Sequence, residues 1–108
     1  SEIDFKQAVL GYASQKRQIS GQIRGVHGQL VSLSNAISRA QSAAQSARKL
    51  VSAEKNRVSA GTSQDFLVTE LESRELAARA VVQEYQIDYF RAWGELQYLS
   101  GIKLAGSL

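Results

Sequence analysis

Apolar residues recur along the first half of the chain in alternating steps of four and three, at Ile19, Ile23, Val26, Leu30, Leu33, Ile37, Ala40, Ala44, Ala47 and Val51. This spacing makes one continuous stripe on a helix, the seam of a coiled coil. Extended backwards, the seam takes in Lys16, Tyr12, Val9 and Phe5; extended forwards, it takes in Glu54 and Val58. The pattern predicts a helix over about residues 3–58, roughly 84 Å long at 1.5 Å per residue. That is far beyond the usual length of about 10–14 residues in globular proteins.

A second seam follows at Val68, Leu71, Ala78, Val82, Tyr85, Tyr89, Ala92, Leu96 and Leu99, interrupted by Glu75, and predicts a helix over about residues 63–99. Between the two, Gly61 suits the left-handed position that ends a helix, so the turn is expected at about residues 59–62. Thr62 is positioned to cap the second helix, with the Asp65 carboxylate near its N-terminus completing a box-like pair. Residues 100–108 are expected as a short tail. The fold class is all-α: a long antiparallel two-helix coiled-coil hairpin, one helix longer than the other, forming a single domain over residues 1–108.

Folding the chain at Gly61 sets Leu30 against Ala92, Ala40 against Val82 and Ile37 near Tyr85, so that large side chains meet small ones. The Ala-rich stretch from Ala36 to Ala53 allows close approach near the turn. The lengths do not match, and the first helix is expected to overhang the second by roughly 30 Å. That overhang carries Phe5, Val9 and Tyr12. The end of the second helix also places Ile87, Phe90, Trp93 and Tyr98 off its seam, as in a helix with neighbours on more than one side. Both features imply missing helices; the alternative is a dimer that buries these surfaces against its own copy.

Three glycines, Gly21, Gly25 and Gly28, lie off the seam, each costing about 1 kcal/mol relative to Ala in a helix interior. They mark either the close approach of another helix or a tolerated weak spot. Ser34, Ser38, Ser42 and Ser46 form a small polar stripe that lines either water or a close helix neighbour.

Composition narrows the function. The chain has 108 residues, 44% of them apolar and 21% charged, with no Pro to break a helix. With no Cys and the single His27 far from any carboxylate at helical spacing, thiolate chemistry and Cys-based metal sites are excluded, and no catalytic, cofactor or metal site is expected. A two-helix hairpin offers no pocket for convergent polar groups, so an enzyme is not expected. The chain contains no Met, even at its start, and is therefore expected to be processed or excised from something larger. No apolar run approaches the roughly 20 residues of a membrane-spanning helix, and no signal segment opens the chain.

The net charge of +3 divides unevenly, with nine Lys or Arg against three acids in residues 1–60 and four against seven in residues 61–108. Opposite charge favours pairing of the two helices modestly, by about 0.2–1 kcal/mol for each exposed pair. Lys16, Arg17, Arg24, Arg39, Arg48 and Lys49 are spread around the first helix without interleaved aromatic residues, which favours a solvated face over nucleic-acid binding.

The segment from Arg57 through Val58, Ser59, Ala60, Gly61, Thr62, Ser63, Gln64, Asp65, Phe66 and Leu67, continued by Leu76-Ala77-Ala78-Arg79, Ile87-Asp88-Tyr89, Ala92, Glu95, Leu96 and Gly101, resembles the second hairpin of the TolC-like outer membrane efflux proteins. The similarity covers roughly 45 residues, whereas the first helix matches only in character. The resemblance implies a trimeric channel with a long periplasmic α-barrel, anchored by a membrane β-barrel that lies outside this chain. In that family a long helix faces two shorter ones stacked end to end, which accounts for the overhang.

The turn would then be the periplasmic tip, with Arg57, Val58, Ser59, Ala60, Gly61, Thr62, Ser63 and Asp65 docking the hairpins of a periplasmic adaptor in a tripartite pump. Glu70 falls near a family position where acidic side chains ring the entrance. Val58 and Ser63 stand where some members carry a Tyr and an Arg that latch the closed tip. The two other readings are the α-hairpin of a periplasmic adaptor, equally long, Ala-rich and turned at a Gly, and a generic coiled-coil oligomerisation module.

Overall fold

A computed structural model describes residues 1–106 of the chain. Two helices form a helical hairpin: α1 spans Glu2–Ser59 and α2 spans Asp65–Gly106, with no strand among the described residues. α1 is the longer, at 58 residues against 42. Acidic residues sit in the first turn of each helix (Glu2 and Asp4; Asp65) and a basic residue in the last (Arg57; Lys103), each favourable to the helix dipole.

The chain divides into two compact units. The turn unit comprises residues Leu33–Tyr89, and the terminal unit comprises Ser1–Ser32 together with α2 from Phe90 onward.

In the turn unit the α1 seam faces inward as its spacing requires. Ala40 and Val51 are buried, as is Val68 of α2, while Leu33, Ile37, Ala44, Ala47, Val58, Leu71, Ala78 and Val82 are half-buried. The α2 seam departs from expectation at one step, where Tyr85 is exposed and Gln86 takes the half-buried place. A straight α-helix of 3.6 residues per turn drifts against a strict 3.5-residue repeat, and a one-residue step relieves the drift. Glu75, which interrupts the apolar pattern, lines a polar groove with Gln41, Gln45, Arg48 and Arg79. Glu75 is half-buried on a groove open to solvent, so its carboxylate is tolerated there.

In the terminal unit Val26, Leu30, Ala92 and Leu99 form the buried core, flanked by half-buried Ile19, Ile23, Leu96 and Ile102. The expected tail is corrected over residues 100–106, because α2 continues through Gly106. Ile102 extends the α2 seam by the required three residues from Leu99, and the Tyr12 hydroxyl donates to the carbonyl of Gly106 in the helix's last turn. Residues 107 and 108 of the expected tail lie outside the described residues. A small cavity of about 160 Å³ beside this contact is lined by Tyr12, Ile19, Ile102 and neighbouring side chains. The seam residues before Tyr12 are uncovered, with Phe5 70% and Val9 49% exposed.

A Cβ built at Gly21, Gly25 or Gly28 would meet nothing within 4 Å. Within this chain, close approach of another helix is therefore not what these glycines serve.

Candidate functional site

The expected docking residues surround the turn between the two helices, and the backbone there follows from one residue. Gly61 has φ of +77°, the only positive φ among the described residues. An L-residue pays about 1–2 kcal/mol for that conformation, and glycine does not. With Gly61 so placed, its N–H donates to the Val58 carbonyl at 3.0 Å and the Thr62 N–H reaches the Arg57 carbonyl at 2.9 Å. These two bonds make a Schellman closure, which satisfies carbonyls left over at the end of α1.

The capping role expected of Thr62 is corrected. Its Oγ1 donates back to the Arg57 carbonyl at 3.1 Å and so closes α1 rather than opening α2. α2 starts later, at Asp65, and the Gln64 carbonyl accepts the Leu67 N–H at 3.1 Å in its first turn. The turn consequently occupies residues 60–64, whereas 59–62 is the expected span. Thr62 is spent on the first helix because its backbone already points at the Arg57 carbonyl, where the hydroxyl adds a second donor.

The side chain that holds the turn is that of Glu54 in α1, which heptad spacing places only on the seam. It is the one buried charged residue among those described, at 8% exposure. Its two oxygens are separately engaged: Arg57 Nη1 donates to Oε2 at 3.2 Å, and the Ser63 hydroxyl donates to Oε1. One carboxylate thus ties the last turn of α1 to Ser63, two residues before α2 begins. A buried acid is costly unless its oxygens are hydrogen-bonded, and here both are. The signal was available as a Glu following a seam that is apolar from Ile19 to Val51, one turn before Val58 and two before Gly61.

The remaining site residues fall into two sets. Arg57, Thr62 and Ser63 are brought together by the hydrogen bonds above, with Val58 half-buried beneath them and Ser59, Ala60 and Gly61 exposed. Ser59 Oγ donates to the Lys55 carbonyl at 3.1 Å, so this hydroxyl is used locally. Asp65 is exposed in the first turn of α2, where its carbonyl accepts from Thr69 Oγ1 at 3.4 Å.

Glu70 does not join the turn cluster. It pairs with Arg74 one turn along α2, at 3.0 Å, and both side chains are more than half exposed.

The geometry gives a polar, largely exposed turn whose backbone is set by Gly61 and whose Arg57 and Ser63 side chains are held by Glu54. No family model, curated protein or solved structure matches the chain. No group of three or more His, Cys, Asp or Glu able to hold a metal occurs among the described residues.

Proposed function

We propose that this chain is the periplasmic hairpin of a TolC-like outer membrane efflux channel, a passive conduit element whose tip, Arg57 to Asp65, docks the hairpins of a periplasmic adaptor. The observation that carries this reading is the amount of large apolar surface the hairpin leaves uncovered: Phe5 at 70%, Ile87 at 51%, Trp93 at 45% and Tyr98 at 70% exposure. Single exposed apolar residues are ordinary, but aromatics repeated on both helices are what a stave in a larger helical wall would present. The order of residues from Arg57 to Gly101 supports the choice of family, and the fixed polar turn supports a docking role for the tip. The intact channel would be a trimer, held in the outer membrane by parts outside this chain.

The chain has no cysteine, so the tip can be probed cleanly. Ser59→Cys and Thr62→Cys in the intact channel should form cross-links to an adaptor hairpin, whereas Arg39→Cys on α1 should not. Cross-links at Arg39 with none at Ser59 or Thr62 would favour the adaptor or coiled-coil readings and sink this one. Glu70 would contribute negative charge at the entrance, tempered on each copy by Arg74. Glu70→Gln should lower the cation preference of channel conductance, and an unchanged ion preference would remove Glu70 from the entrance.

A further inference from the structure

The cations expected to be dispersed around α1 are in part gathered. Lys16, Arg17 and Arg24 line a single groove with Ala13 and Ser20, all on α1 within the terminal unit. All three are exposed, and none forms a hydrogen bond or ion pair with another described residue. This is unlike Lys6, Arg57 and Arg74, each of which has a carboxylate one turn away. α1 has no acid between Asp4 and Glu54, so nothing on this helix neutralises the groove. In the terminal unit α2 contributes one acid, Glu95, which makes no ion pair with them.

We infer that this groove binds a soluble multivalent phosphate. Ser20 lies one turn from both Lys16 and Arg24 and three residues from Arg17, so its hydroxyl sits in the middle of the three cations. Two guanidinium forks, one ammonium and one hydroxyl make a donor set matched to phosphate oxygens, with Arg supplying bidentate geometry. Like charges left unpaired within two turns destabilise a helix slightly, and a bound polyanion reverses that effect.

The extent of the patch selects the ligand. It covers residues 13–24, roughly 16 Å of helix, and the next cation on α1 is Arg39, roughly 22 Å further along. A nucleic-acid strand needs a longer track and stacking aromatics, and none of the lining residues is aromatic. A membrane surface needs large apolar side chains beside the cations, whereas the groove offers only Ala13.

The test is titration of the 108-residue chain with inorganic tripolyphosphate at low salt, followed by backbone amide shifts and calorimetry. Saturable binding is expected, with shifts centred on residues 13–24. The Arg17→Gln/Arg24→Gln variant should bind at least about tenfold more weakly, since each charge-assisted hydrogen bond lost carries an effect of that order. Arg39→Gln/Arg48→Gln, which removes the same charge elsewhere on exposed positions of α1, should bind as the parent does. Equal weakening in both variants, or no saturable binding, would overturn the site. Tighter binding of a short oligonucleotide, or of phosphatidylglycerol vesicles, that depends on Arg17 and Arg24 would overturn the choice of a soluble phosphate.

Discussion

The turn unit and the terminal unit are built from the same two helices, yet they finish their ends by different means. The turn unit closes on a buried carboxylate with two donors, a glycine in the left-handed region and a backbone closure that consumes the last carbonyls of α1. The terminal unit brings α2 to its last turn with one tyrosine hydroxyl on one carbonyl and leaves the α1 seam beyond it uncovered. The contrast shows where the sequence specifies a conformation by itself and where it leaves surface for something else. A tip held this firmly keeps its shape without a partner; an end this apolar does not hide its own side chains.

The largest effect should come from removing the carboxylate. Glu54→Ala deletes two charge-assisted hydrogen bonds and strands the half-buried Ser63 hydroxyl, at a cost of about 2–3 kcal/mol. Urea denaturation would read the loss, and amide exchange would place it at residues 57–65. Glu54→Gln keeps an oxygen for Ser63 and gives up only the charge toward Arg57, whose side chain is 67% exposed. It should therefore lose less than half as much. If the two variants were equally unstable, attraction to Arg57 and not the clasp across the turn would be the source.

Gly61→Ala comes next. Its cost of about 1–2 kcal/mol is that of placing a Cβ in the left-handed region. No neighbour contributes, because nothing lies within 4 Å of the added atom. Asn, which tolerates that region better, should restore part of the loss in the same denaturation assay. Indifference to Ala would mean that the turn has a second conformation of equal energy.

The α1 seam from Ile19 to Val58 was legible because heptad spacing directly reports which positions turn inward, and each of those residues is buried or half-buried. Gly61 was legible because few residues accept positive φ. Other features depended on contacts between distant parts of the chain. Thr62 satisfies every local rule for an N-cap, and only the Schellman geometry hands its hydroxyl to Arg57. Glu54 was read only as a seam position because its meaning lies in Ser63, nine residues later. The helical continuation to Gly106 was missed because the second seam was followed only to Leu99, whereas Ile102 carries it one step further and Tyr12 reaches the carbonyl of Gly106. The basic groove was missed because the sequence shows α1 without acids near these cations but not that Glu95 of α2 leaves them unpaired.

The open glycine face sharpens the comparison from the terminal side. Gly25→Ala meets open space and should stabilise the isolated chain by about 0.5–1 kcal/mol through helix propensity alone. Thermal unfolding at low concentration would show a higher midpoint. An unchanged or lower midpoint would mean that the chain already covers this face by self-association, which a concentration series would reveal.

The smallest effect belongs to Tyr12. Its hydroxyl is the only side-chain group donating to the Gly106 carbonyl among the described residues, and the ring is 52% exposed. Tyr12→Phe retains the ring beside the cavity it lines with Ile19 and Ile102 and removes only that donor, worth about 0.5–1 kcal/mol. Global stability should barely move, because helix ends open locally at far lower cost than the core. Amide exchange over residues 102–106 should quicken by about two- to fivefold, the factor that corresponds to such a loss in local opening. Exchange around Gly61 should stay as it was, since the tip carries its own closure. Faster exchange at both places would mean that the two ends open together, and the independence inferred from their different chemistry would fail.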